Sequence, residues 1–239
     1  MGTYWVSLLV TLAVLALAAS TDLESRVQNG QPIGPEHKHL VELNTHFEPY
    51  QPGEYVFSCT GSILNGYWII SAKHCLQRDG SSLNWAKIVR HMNSNTENTI
   101  VDYKLAPVIG PYRAQHDIAL VKVANQLNTN VYQPILLSPV YPVQGSTAIV
   151  AGYGKPDPSL PRQGVVTIGK CNFAPICSFS NEFTARPDNG DSGGPLTVDG
   201  RLVGIISEGI PPTATNPLYE EHYVAIADHY NWIMGVIKT

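Results

Sequence analysis

Gly190-Asp191-Ser192-Gly193-Gly194-Pro195-Leu196-Thr197-Val198-Asp199-Gly200 is the stretch on which the reading of this chain turns. A serine hydroxyl is a weak nucleophile at neutral pH and needs an adjacent base. The glycines around Ser192 let the backbone approach a substrate and let the N–H groups of Gly190 and Ser192 point at a developing oxyanion. Pro195 to Val198 reads as a short strand, and Asp199-Gly200 as the turn that ends it.

Outward from this segment the chain reads as β. Short apolar runs recur at 67–70, 118–123, 147–151, 164–168 and 202–207, between turn signals such as Asp79-Gly80 and Pro156-Asp157-Pro158. The polar run Asn93 to Asn98 is expected to be an exposed loop. One helix is expected, at the end, where Ile226, Tyr230, Ile233 and Ile237 repeat at steps of four, three and four, with Asp228 as N-cap. The 239 residues carry 20 Gly and 18 Pro, too many breakers for long helices. A hydrophobic content of 44% excludes a disordered chain. A net charge of −4 and the lack of a basic run give no footprint for nucleic acid or an acidic membrane.

Two more segments carry chemistry. His74 lies in Ile70-Ser71-Ala72-Lys73-His74-Cys75, and Asp117 in Gln115-His116-Asp117-Ile118-Ala119-Leu120. Imidazole titrates near neutrality, so it can take the serine proton and later return it to a leaving group. A carboxylate fixes the imidazole tautomer and stabilises the imidazolium.

These three segments, in this order, resemble the chymotrypsin/trypsin-like serine peptidases. The resemblance runs through Cys59-Thr60-Gly61-Ser62-Ile63-Leu64, Gln133 to Leu137, Gly152-Tyr153-Gly154 and Trp232-Ile233. It implies an all-β fold of two six-stranded antiparallel β-barrels packed together with a C-terminal α-helix. It also implies a catalytic His74, Asp117 and Ser192 and an oxyanion hole from Gly190 and Ser192. A competing pattern, the G-x-S-x-G elbow of α/β-hydrolases, needs a helix after the serine and its acid and histidine later in the chain. Only Glu221 with His222 or His229 would serve there.

The N-terminus reads as an address. Val6 to Ala19 is almost wholly apolar, about 21 Å as a helix against a hydrocarbon core of about 30 Å. That suits a signal peptide of residues 1–20, cleaved after Ser20, although no Lys or Arg precedes it; a buried N-terminal helix is the alternative. A secreted, extracellular protein is expected, with disulfides. The resemblance implies a propeptide of residues 21–26 and a cut at Arg26–Val27. The freed Val27 amine would then pair with Asp191 and order the oxyanion hole. The peptidase domain would be residues 27–239, with barrels of roughly 27–128 and 129–239.

The resemblance also implies disulfides Cys59–Cys75 and Cys171–Cys177; zinc ligation is the alternative, without C-x-x-C spacing. Two common family bridges are missing, with Ala148 and Val198 at one and Asp188 at a position of the other. Arg186, six residues before Ser192, takes the place at the base of the primary pocket where trypsin-like members carry aspartate. Preference for Lys or Arg is therefore not expected. Arg186 would instead favour an acidic side chain, close the pocket by pairing with Glu221, or point to solvent.

The other histidines read as bland. Glu36-His37-Lys38-His39 is expected to be an exposed loop, and His116 and His229 structural or solvated. No cofactor and no metal is called for. The expected partners are protein or peptide substrates, an activating protease and protein protease inhibitors, around a monomer. The second class of function is a catalytically inactive homologue acting as a binding protein.

Overall fold

Trp68-Ile69-Ile70-Ser71 and Ala119 to Val123 are too short and too apolar for surface helices. Each forms a strand buried along nearly all its length. The computed structural model describes residues 27–48, 56–78, 81–92, 94–154 and 160–238. The expected signal peptide, the propeptide with Arg26, Asn93 and the turns at 79–80 and 156–158 lie outside the described residues.

After the two-residue strand β1 (Gln31–Pro32), six antiparallel strands close a barrel. They are β2 (Leu40–Glu48), β3 (Phe57–Ile63), β4 (Trp68–Ser71), β5 (Ser82–His91), β6 (Ser94–Leu105) and β7 (Ala119–Val123). Their order is β2-β3-β4-β7-β6-β5. The second half holds β8 (Leu136–Leu137), β9 (Thr147–Gly152), β10 (Arg162–Thr167), β11 (Ile176–Ser180), β12 (Pro195–Val198), β13 (Arg201–Ile210) and β14 (Tyr219–Ala225). Its sheet runs β1-β10-β9-β12-β13-β14-β11, with β8 parallel to β13. A bridge between Ile168 and Ser178, and the Gly169 N–H to Cys177 carbonyl bond of 2.8 Å, tie the end of β10 to β11. Six strands of this sheet thus curl back on themselves. The strand after Ser192 is β12, where the hydrolase elbow would need a helix.

The two halves share a core. Leu202, Ile205 and Val224 pack in one cluster with Ile69, Ile70 and Leu120 of the first barrel. Helix α1 (Ile226–Val236) buries Ile226 and Ile233 in the same cluster. Its N-cap is Ala225, not Asp228; Asp228 lies in the first turn and accepts a hydrogen bond from the Tyr141 hydroxyl.

Two polar segments differ from expectation. Ser94 to Asn98 is not a loop but the start of β6, because the β5–β6 hairpin continues the ladder there. Asn98 is buried, donating to the Asn125 carbonyl and accepting from its N–H. His37 and His39 are buried rather than exposed. His39 Nδ1 lies 3.2 Å from the Ser62 hydroxyl, and His37 Nε2 reaches the Gln163 amide across the two halves.

Burial, reinforced by His37 and His91, pushes the His39 imidazole down to about 3. The folded pKa lies below the unfolded value of 6.5, so the unfolded chain binds more protons between these limits. This part of the stability is present above pH 6.5 and is lost as pH falls toward 3. His39→Gln should therefore flatten the dependence of the unfolding free energy from urea titrations on pH, by up to about 1.4 kcal/mol per pH unit. Unchanged slopes between pH 7.5 and 4.5 would contradict this.

Candidate active site

Strand register brings His74 and Asp117 together. β4 pairs with β7 so that Ser71 faces Ala119. His74 sits in the 3₁₀ turn Lys73–Cys75 just after β4, and Asp117 lies two residues before β7. The Asp117 carboxylate accepts the His74 backbone N–H at 2.9 Å and lies 2.7 Å from its Nδ1. It also accepts the Ser207 hydroxyl at 2.7 Å and Arg113 Nε at 3.2 Å. Burial acts to raise the Asp117 carboxyl, but the His74 bond, the Ser207 bond and the Arg113 charge outweigh it and hold it at about 2. Asp117 stays ionised, and His74 lines the cleft in front of it.

Ser192 approaches from the other half. Its carbonyl accepts the Thr60 N–H at 2.8 Å, and Thr60 adjoins Cys59. Cys59 is bonded to Cys75, the neighbour of His74. Serine and histidine are thereby tied to one short piece of the first barrel, and both line one cleft of about 450 Å³. Gly193 has φ of +82°, and a Cβ there would lie 2.1 Å from the Ser71 hydroxyl, so only glycine fits. The Thr60 hydroxyl donates to the Gly190 carbonyl at 2.9 Å and accepts the Tyr153 N–H at 2.9 Å. The N–H groups of Asp191, Gly193 and Gly194 are spent on carbonyls. Those of Gly190 and Ser192 have no acceptor among the described residues. These two N–H groups flank Asp191, one on either side.

Asp191 is wholly buried beneath this loop. Its carboxylate accepts N–H groups from Gly154 (2.8 Å), Asp188 (2.9 Å) and Val27 (3.1 Å). Gly152 and Gly154 leave the room, since a Cβ at Gly152 would lie 2.1 Å from Asp191 Oδ1. In the intact chain the Val27 atom is a neutral peptide nitrogen. Burial outweighs the three donors and pushes the Asp191 carboxyl up to about 6.

The cleft's far end holds Arg186 and Glu221. Of the three alternatives for Arg186, a close pairing with Glu221 is not formed: no ion pair within 4.0 Å joins them among the described residues, although the Arg186 charge acts on the Glu221 carboxyl. The Arg186 guanidinium lies 3.6 Å from the centre of the Tyr219 ring and donates to the Asn181 carbonyl at 3.4 Å. Asp188 accepts the Gln28 amide at 2.7 Å.

The family sequence model described as Trypsin matches residues 40–233. The chain belongs to the trypsin family. It is similar to the snake venom serine protease NaSP of Naja atra, 27% identical over 76% of this chain and 71% of that protein. It is also similar to trypsin alpha-4 of Lucilia cuprina, 29% identical over 76% and 78%. A serine protease homolog of Protobothrops jerdonii is 25% identical over 97% and 95%. In fold it matches the solved neuropsin, a serine protease of mouse brain, with a TM-score of 0.65, 21% identity and coverage of 87% and 98%.

Within the trypsin family pattern the two expected disulfides form, Cys59–Cys75 and Cys171–Cys177, so these cysteines are not free to hold zinc. Where a family bridge is missing, Ala148 is buried and Val198 packs against the same apolar cluster. Where the pocket's brace is missing, the Gln28–Asp188 hydrogen bond joins the N-terminal segment to the serine loop. Thr60, Arg113 and Ser207 are site residues that no local sequence signal marked, because each meets its partner only through the register of distant strands. His229 is structural, its Nε2 lying 3.0 Å from the Gln115 carbonyl.

Thr60→Val should remove the hydroxyl's bond to the Gly190 carbonyl and its bond from the Tyr153 N–H. It should lower the unfolding free energy by about 1–3 kcal/mol, whereas Thr60→Ser keeps the hydroxyl and most of the stability. Equal urea midpoints for the two variants would remove Thr60 from the loop's support.

Proposed function

We propose that this chain is a secreted serine endopeptidase made as an inactive precursor. It hydrolyses peptide bonds in protein or peptide substrates through an acyl-enzyme at Ser192. The observation that carries this is that Ser192 and His74 line one cleft, with Asp117 bonded to His74 behind it and the Gly190 and Ser192 N–H groups unspent among the described residues. His74 Nδ1 is engaged by Asp117, so its Nε2 takes the Ser192 proton as Oγ attacks the substrate carbonyl. The tetrahedral oxyanion accepts from the Gly190 and Ser192 N–H groups. Collapse returns the proton to the leaving amine and leaves an ester on Ser192. Water then repeats the steps with His74 as base, and the acid product leaves.

The environment of Asp191 supports the activation step. Cutting Arg26–Val27 turns the peptide nitrogen beside the carboxylate into an ammonium. A buried carboxylate that faces only neutral donors gains a full counter-charge. Val27 has φ of +37°, an unfavourable value for a β-branched residue, and that torsion ceases to exist once the preceding carbonyl is gone. Activation calls for a second protease that cuts after arginine. The active protein is a monomer open to protein protease inhibitors at the same cleft.

N-terminal sequencing of active protein should read Val27 first. A different start would sink the activation step. Ser192→Ala should abolish hydrolysis of a peptide library, and His74→Ala should lower kcat/KM at least about a thousandfold. Cleaved wild-type protein that hydrolyses no peptide would point to a protease-like binding protein.

A further inference from the structure

We propose that Asn189-Gly190 is a site of spontaneous deamidation, and that the reaction there disables the oxyanion donor at Gly190. The covalent step rests on the loop geometry alone. Only its effect on turnover rests on the peptidase reading.

Asparagine is a chemically labile residue, and most so before glycine, which has no side chain to screen its nitrogen. The chain holds three such pairs: Asn29-Gly30, Asn65-Gly66 and Asn189-Gly190. Two are held. The Asn29 amide donates to the Glu182 and Thr184 carbonyls at 2.9 and 3.1 Å, and the Gly30 N–H donates to the Val27 carbonyl at 2.6 Å. The Asn65 amide oxygen accepts the Tyr67 and Trp68 N–H groups, both at 2.9 Å, and its nitrogen donates to the Ile237 carbonyl at 3.1 Å. Reaction at either pair must first break these bonds.

Asn189 differs on each count. It is exposed, lines the cleft, and its side chain makes no hydrogen bond among the described residues. Neither its carbonyl nor the Gly190 N–H has a partner among the described residues, so the peptide plane between them can turn without losing a bond. The freedom that suits the Gly190 N–H to an oxyanion thus leaves its nitrogen open to the neighbouring amide. Another residue at 190 would not fit the loop. Gly190 has φ of +98°, and a Cβ there would lie 2.8 Å from Gly154 Cα.

In the reaction the Gly190 nitrogen bonds to Asn189 Cγ and the Cγ–Nδ2 bond breaks. The displaced amide proton, carried by water, leaves on the expelled ammonia. The product is a cyclic imide with no N–H at position 190. Water then opens the ring at either carbonyl. One opening leaves an aspartyl residue at position 189, and the other an isoaspartyl residue that adds a methylene to the main chain. Both put a new carboxylate where an oxyanion must form. Loss of one oxyanion donor typically costs about a hundredfold or more in rate.

The test incubates protein cut at Arg26–Val27 under native conditions at mildly alkaline pH and maps its peptides by mass spectrometry. Ring opening makes a peptide about 1 Da heavier, and an isoaspartyl methyltransferase counts the isoaspartyl product. We expect the mass gain at Asn189 to run at least about tenfold faster than at Asn29 or Asn65, and the three rates to converge in urea. Equal native rates at the three sites, or no gain at Asn189, would overturn the proposal. Turnover of a peptide substrate, per intact chain, should fall in step with the modified fraction. Asn189→Gln, whose longer side chain closes a ring far more slowly, should hold its own starting rate. Undiminished turnover in modified protein, or equal decay in the variant, would overturn it too. If the variant does not fold, the comparison of native with urea rates and the wild-type decay decide. If fresh cut protein hydrolyses no peptide, selective gain at Asn189 upholds the modification site while the peptidase reading falls.

Discussion

The carboxylate of Asp191 is the constraint around which the site is arranged. It is fully buried, holds only neutral donors in the intact chain, and lies next to Ser192 in the chain. Each donor comes from a different part of the chain: the segment after Arg26, the loop that follows β9, and the turn before the serine. Moving any of them would move the Gly190–Ser192 backbone, because Asp191 is part of that backbone. The loop's shape thus depends on a charge that only an N-terminal ammonium at Val27 would balance fully.

The two halves divide the chemistry. The first barrel supplies His74 and Asp117, from the turns that follow β4 and precede β7. The second supplies Ser192 and the Ser207 hydroxyl that bonds the Asp117 carboxylate. Thr60 links them, with its N–H on the Ser192 carbonyl and its hydroxyl on that of Gly190. Relative motion of the halves would therefore be felt directly at the serine.

The strands were legible where apolar runs are bounded by breakers, as at β4, β7 and β9, and so were His74, Asp117 and Ser192 within their segments. The helix was legible from the spacing of Ile226, Tyr230 and Ile233, though not its cap. What was not legible depends on contacts between residues far apart in sequence. His37 and His39 sit in a polar run, yet Ser62 and Gln163 provide partners that let them be buried. Asn98 reads as loop until Asn125 is placed against it. Arg186 lines the cleft, but its stacking on Tyr219, 33 residues later, is not marked by any local signal. Pocket chemistry is the least local property of the chain.

The central claim is that a charge created at Val27 organises the oxyanion cradle and makes Ser192 reactive. The most direct measurement is the rate at which a fluorophosphonate labels Ser192 before and after a cut at Arg26–Val27, with Ser192→Ala as control. The account predicts labelling at least about 100-fold faster in the cut protein, with Asp191→Asn reducing it to the precursor's rate. Equal rates before and after the cut, or a cut protein that never labels, would contradict it.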